Sequence, residues 1–140
     1  MSEREVHLLV VAYRTAATPR LLDAIRRRTQ AGGCRVTLLV PRPYWDPDTE
    51  EAEVVVELAV PLIEEAAGRS VEAVIGDSDP VLAVRELLAR TEVDEVIVST
   101  LPERVSRWLR RDVPARLRAL GLPVTVVTAE QSARSLIAGG

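Results

Sequence analysis

The residues best able to do chemistry gather in one stretch, STLPERVSRWLRR, at positions 99–111. Three hydroxyls, Ser99, Thr100 and Ser106, accompany four arginines, Arg104, Arg107, Arg110 and Arg111, around Trp108. Arginine forks and free helix amides hold phosphate or carboxylate, so the chemistry on offer is anion binding. Thr100-Leu101-Pro102-Glu103 reads as a capping box, which predicts a helix opening directly after the first two hydroxyls. On that helix Arg104, Arg107 and Arg111 share one stripe with Arg110 beside it, while Val105, Trp108 and Leu109 share another. The second stripe predicts Trp108 packed on the core. The first suits an anion, an acidic protein surface, or water alone. A shorter stretch, AYRTAATP at 12–19, offers Tyr13, Arg14 and Thr15 to complete an anion site from the other side.

Other chemistries lack material. All eighteen basic residues are arginine, which removes lysine Schiff bases and the P-loop lysine. One histidine, His7, falls inside an apolar run and reads as a core residue. One cysteine, Cys34, rules out an internal disulfide and reads as a buried thiol. Together they leave almost nothing from which to build a catalytic triad or a multi-cysteine metal site. No G-x-G-x-x-G follows an apolar run. A net charge of −3 argues against general nucleic-acid binding. Residues 46–72 carry nine acids against the single base Arg69, a block expected to form a solvated helix face.

The elements that must position these residues alternate in type. Short β-branched runs occur at Val6–Ala12, Val36–Val40, Val71–Ile75, Glu95–Ser99 and Val124–Val127, with helical periods between them. Start signals stand at Thr18-Pro19, at Asp48-Thr49-Glu50-Glu51 and at Asp77-Ser78-Asp79-Pro80. Stops stand at Gly32-Gly33, Gly68 and Gly121. Pro61 predicts a kinked or split second helix, and Asp112-Val113-Pro114 predicts a break between two helical pieces. Five strands alternating with helices predict an α/β, Rossmann-like parallel sheet with right-handed crossovers. The first, second and fourth runs are apolar on both faces, as central strands are, and the other two are mixed. That places the strands in the order 3-2-1-4-5. Ligands in such sheets sit beyond the carboxyl ends at the switch point, here between 12–15 and 99–107.

Over residues 4–128 the chain resembles the universal stress protein family. The likeness rests on VHLLVVAYRT, on GDSDPVLAVRELLARTEVDEVIVST and on the closing GLPVTVV. The length predicts one domain, here over 1–128, and the small, polar residues 129–140 predict a mobile tail. The likeness implies a homodimer through the last strand (Val124, Thr125, Val126, Val127), an unpaired edge in a monomer. ATP-binding members of the family carry an aspartate near the end of strand 1 and three glycines after strand 4. Here Ala12-Tyr13-Arg14 stands at the first place, and no glycine occurs between Asp77 and Gly121. The resemblance therefore implies a non-enzymatic, stress-related regulatory or interaction module that does not hold ATP in the family's usual way, with no cofactor expected. The alternative is a nucleotide- or phosphate-binding sensor using Tyr13, Arg14, Thr15, Ser99, Thr100, Ser106, Arg107 and Arg110. No apolar run approaches the ~20 residues that span a bilayer, and the acids in MSEREVHLLVV are unlike a signal peptide. A cytoplasmic location is the expectation, without membrane or nucleic-acid partners.

Overall fold

A computed structural model describes residues 5–130. In chain order the elements are β1 (Val6–Val11), α1 (Pro19–Ala31), β2 (Cys34–Pro41), α2 (Glu51–Ala67) and β3 (Glu72–Gly76). There follow α3 (Pro80–Leu88), β4 (Glu95–Thr100), α4 (Arg107–Arg110), α5 (Val113–Arg118) and β5 (Val124–Thr128). The strands form one sheet in the order β3-β2-β1-β4-β5, every pair parallel. The central strands are the fully apolar ones. Leu8, Leu9, Val10, Val11, Val36, Leu38, Leu39, Val40 and Val98 have no exposed surface, whereas every position of β3 and β5 is half-buried or exposed. Helices α1 and α2 pack together, as do α3 and α5, giving one helical layer on each face of the sheet.

Local signals explain most boundaries. Asp79 accepts from the Val81 amide at 2.9 Å and caps α3, with Pro80 at the first helical position. Asp77 in turn accepts from the Asp79 amide at 2.9 Å. Gly68, left-handed at φ 73°, closes α2 by donating to the Glu64 carbonyl at 2.8 Å. Gly76 ends β3 for a different reason. A Cβ there would lie 2.8 Å from Ala83 Cβ and 3.1 Å from Leu39 Cδ1, so the bare backbone lets α3 close on the sheet.

Four expectations are corrected. No helix starts at Thr100: that residue ends β4, and 101–106 is a turn in which Val105 donates to the Pro102 carbonyl at 2.9 Å. Pro102 biases Leu101 toward extended backbone, so the strand runs on where the capping pattern predicts a helix. The helix begins instead at Arg107, where buried Ser106 accepts from the Leu109 amide at 3.1 Å. Asp48 does not cap α2; the Thr49 hydroxyl accepts from the Glu51 amide at 3.3 Å. Thr18 is the N-cap residue of α1, with Pro19 opening the helix, but its hydroxyl donates back to the Thr15 carbonyl at 3.2 Å and caps no helix amide. Pro61 does not split α2, which runs unbroken from Glu51 to Ala67. The break at Asp112 does occur, with that residue left-handed at φ 54° between α4 and α5. The predicted tail begins anchored. Ala129 donates to the Thr100 carbonyl at 2.8 Å and Glu130 pairs with Arg20 at 3.2 Å, while 131–140 lie outside the described residues.

His7 is a core residue, 2% exposed. Its Nδ1 lies 2.6 Å from the Glu92 carbonyl and 3.0 Å from Arg35 Nη2, and its Nε2 lies 2.7 Å from Thr37 Oγ1. Burial pushes the Cys34 thiol above its ordinary pKa, with Arg28 opposing. It is 1% exposed.

Candidate functional site

The loops after β1, β2, β3 and β4 meet beyond the carboxyl ends of the strands and enclose a cleft of about 140 Å³. All four aromatic residues of the chain line it: Tyr13, Tyr44, Trp45 and Trp108. Each arrives by a different route. Tyr13 follows β1 and is 3% exposed, and Tyr44 and Trp45 stand in the turn PRPYW after β2. Trp108 points inward from α4 and is 7% exposed, a member of the core as its stripe predicts. The Tyr13 and Trp45 rings meet edge-on at 6.0 Å, and Tyr44 and Trp45 at 5.1 Å. Tyr44 and Trp45 remain 52% and 44% exposed, so the cleft has an open aromatic wall.

Arginines supply the polar side. Arg42, Arg107, Arg111 and Arg116 line the cleft. The Arg107 guanidinium lies 3.7 Å from the Tyr44 ring centre, and that of Arg14 lies 5.3 Å from the Trp45 ring. Three of these charges are balanced: Arg14 by Glu51 at 3.2 Å, Arg42 by Glu53 at 3.3 Å and Arg116 by Asp79 at 3.6 Å. Arg107 and Arg111 have no carboxylate partner among the described residues. They sit one turn apart and so reach the same space.

Two buried polar atoms beside the cleft lack hydrogen bonds, Tyr13 Oη and Glu53 Oε2. Burial, and after it the Glu51 carboxylate, push the Tyr13 phenol well above its ordinary pKa, so it stays protonated. Glu51 is shared between this phenol and Arg14, 3.2 Å from it, and no well-aligned hydrogen bond reaches Tyr13 Oη. Buried donors normally find partners. An incoming acceptor would meet one here.

The site residues expected from sequence divide into two groups. Tyr13 and Arg107 line the cleft, and Arg14 stands against its Trp45 wall. Thr15 and Ser99 lie beneath, buried and bonded to each other at 2.6 Å between the loop after β1 and the end of β4. Thr100 is wholly buried with its hydroxyl donating to the Leu101 carbonyl at 2.9 Å, and Ser106 is engaged as the α4 cap. Arg110 is exposed and does not line the cleft. The switch-point pattern does not point to the loop after β2 or to Ser78, Asp79 and Arg116, which also line the cleft. The adjacent pair Tyr44-Trp45, half the aromatics of the chain in a polar turn, was the available signal.

Solved structures share this framework. A universal stress protein from Archaeoglobus fulgidus superposes with a TM-score of 0.60 over 89% of this chain and 93% of its own. The fold is that of the universal stress proteins. Identity to that structure is 15%. The A. fulgidus protein in complex with dAMP gives a TM-score of 0.59 at 14% identity, covering 91% of this chain and 98% of its own. A universal stress protein in complex with cAMP gives 0.57 at 16%, with the same coverage. No protein-family model and no curated protein matches the sequence. Among the described residues, no helix is long and apolar enough to cross a membrane.

Proposed function

We propose that this universal-stress-protein-like domain is a non-enzymatic regulatory module that binds an adenine mononucleotide, or a closely similar planar anion, in the aromatic–arginine cleft. One observation carries the reading: every aromatic residue of the chain converges with two uncompensated arginines, Arg107 and Arg111, on one opening. Rings accept a flat apolar base, and guanidinium forks accept a phosphate. That solved structures of the same fold contain dAMP and cAMP supports this ligand class.

The mode of holding phosphate differs from a glycine loop. Between β4 and α4 stand Leu101, Pro102 and Glu103, whose side chains keep backbone amides away from a phosphate chain, and Pro102 has no amide to offer. A triphosphate laid along that turn has no amide cradle, so ATP binds more weakly than AMP. Side chains, not amides, carry the anion. The non-enzymatic part of the proposal rests on His7 and Cys34. Both are buried at the amino end of the sheet, and both His7 ring nitrogens are already engaged.

A homodimer through the edge of β5 completes the proposal. Arg118 donates to the Val124 carbonyl at 3.1 Å and Arg20 to that of Thr128 at 3.3 Å, covering both ends of the outward edge. Val126 is left as the centre of any pairing, and sedimentation of a Val126→Pro variant as monomer would support it. The ligand proposal is tested by thermal shift with AMP, cAMP, dAMP, ATP and inorganic phosphate. At a hundred times its dissociation constant, a bound nucleotide stabilises by about 2.7 kcal/mol. Equal shifts from AMP and phosphate would reduce the site to a simple anion hole.

A further inference from the structure

Helix α2 presents an unusual face to solvent. From Val54 to Ile63, nine of ten residues are apolar, Glu57 being the exception. A helix apolar on all sides is ordinarily covered on all sides. Here Ala52, Ala59, Ile63 and Ala66 are buried in the core. On the opposite side Leu58 is 69% exposed, Val54 49% and Leu62 43%. These three recur every four residues, with exposed Pro61 beside them, and form one stripe along two turns. Leu82 on α3 and Leu120 in the turn after α5, also exposed, stand apart in sequence from this stripe. Pro61 adds a polar feature, because it has no amide to give the Glu57 carbonyl one turn back.

Carboxylates rim the stripe. Glu57 and Glu65 are exposed on the same face, and Glu50 is exposed just ahead of the helix. None of the three has an ion-pair partner among the described residues, whereas Glu51 and Glu53 on the cleft side are held by Arg14 and Arg42. We propose that the Val54–Leu58–Leu62 face of α2 is a docking surface for a basic amphipathic segment of a partner protein. Its apolar residues cover the stripe, and its arginines or lysines meet Glu57, Glu65 and Glu50. Charge complementarity selects this occupant. A second copy of the face would bring Glu57 and Glu65 against like carboxylates, and an anionic lipid surface is repelled by the same groups. The surface is separate from the nucleotide cleft and does not depend on it.

The test uses the full chain and a fluorescein-labelled amphipathic peptide of leucine and arginine, with a leucine–glutamate peptide of the same apolar pattern as control. Anisotropy should show saturable binding of the first and none of the second. Leu58→Ser with Leu62→Ser should weaken binding by about tenfold or more, as loss of two buried leucine contacts requires. Glu57→Gln with Glu65→Gln should weaken it by about threefold and flatten its salt dependence. All four positions are exposed or solvent-facing, and an unchanged melting temperature checks that each variant is folded. No binding by the parent, or equal binding by the serine variant, overturns the proposal. So does a change in sedimentation in place of peptide affinity, which would assign the face to a second copy. Binding seen only after removal of residues 131–140 would assign it to the chain's own terminus and overturn it likewise.

Discussion

The two ends of the sheet carry similar chemistry and treat it in opposite ways. At the amino end, His7 is bonded through both ring nitrogens, its amide donates to Asp94 at 2.7 Å, and Arg28 grips Glu95 through bonds of 2.6 and 2.9 Å. Arg69 joins Glu5 and the Cys34 carbonyl at 2.8 and 2.9 Å. At the carboxyl end, Tyr13 Oη and Glu53 Oε2 are buried without well-aligned hydrogen bonds, and Arg107 and Arg111 face the cleft without a carboxylate partner among the described residues. Polar groups that satisfy one another stabilise; polar groups left open await a ligand. On the proposed reading, function belongs to one end and structural support to the other. Each variant below presses on one side of it.

The largest effect is expected where the two roles overlap. Trp108 belongs to the core and also lines the cleft. Trp108→Ala should cost about 3–5 kcal/mol in denaturant unfolding, as large-to-small core changes do. A variant that keeps parental stability and loses only ligand would move Trp108 wholly to the functional side. Next comes the amino end. His7→Leu keeps the volume but removes both ring hydrogen bonds from a buried position, and should cost about 2–4 kcal/mol. Nucleotide affinity in the folded variant should stay within about twofold, because the change lies at the far end of β1. A large affinity loss there would break the division between the ends.

The smallest effect is the sharpest. Tyr13→Phe removes a hydroxyl that no well-aligned hydrogen bond reaches, so stability should change by less than about 0.5 kcal/mol. Nucleotide binding should weaken by about threefold to tenfold if the phenol donates to the ligand. A destabilised Tyr13→Phe variant with unchanged affinity would show the hydroxyl to be structural.

Much of this architecture is legible in the chain. The apolar character of the runs at 6–12, 36–40 and 95–99 separates central from edge strands, because central strands are buried on both faces while β3 and β5 are not. Asp79-Pro80 and Pro114 mark helix starts through local sterics and caps, which act at short range. The turn at 101–106 departs from the capping pattern because that pattern is local, and Pro102 together with the β4–β5 pairing prevails over it. The cleft was half visible. Tyr13 and Arg107 follow from the switch-point rule, but the Tyr44-Trp45 wall comes from a turn without periodicity. Its meaning arises only when β2 lies beside β1 and brings Trp45 against Tyr13. Thr15 and Ser99 show the converse: residues at the right place whose hydroxyls are spent on each other.

The most direct test of the account is calorimetric titration of AMP into the parent and into an Arg107→Ala, Arg111→Ala double variant. Neither arginine has a carboxylate partner among the described residues, and Arg111 is exposed, so the double variant should keep the parental melting temperature. The account predicts saturable binding to the parent and a loss of about tenfold or more in the variant, as removal of charge-assisted contacts requires. AMP binding of equal strength to both proteins, or no binding to the parent, would contradict it.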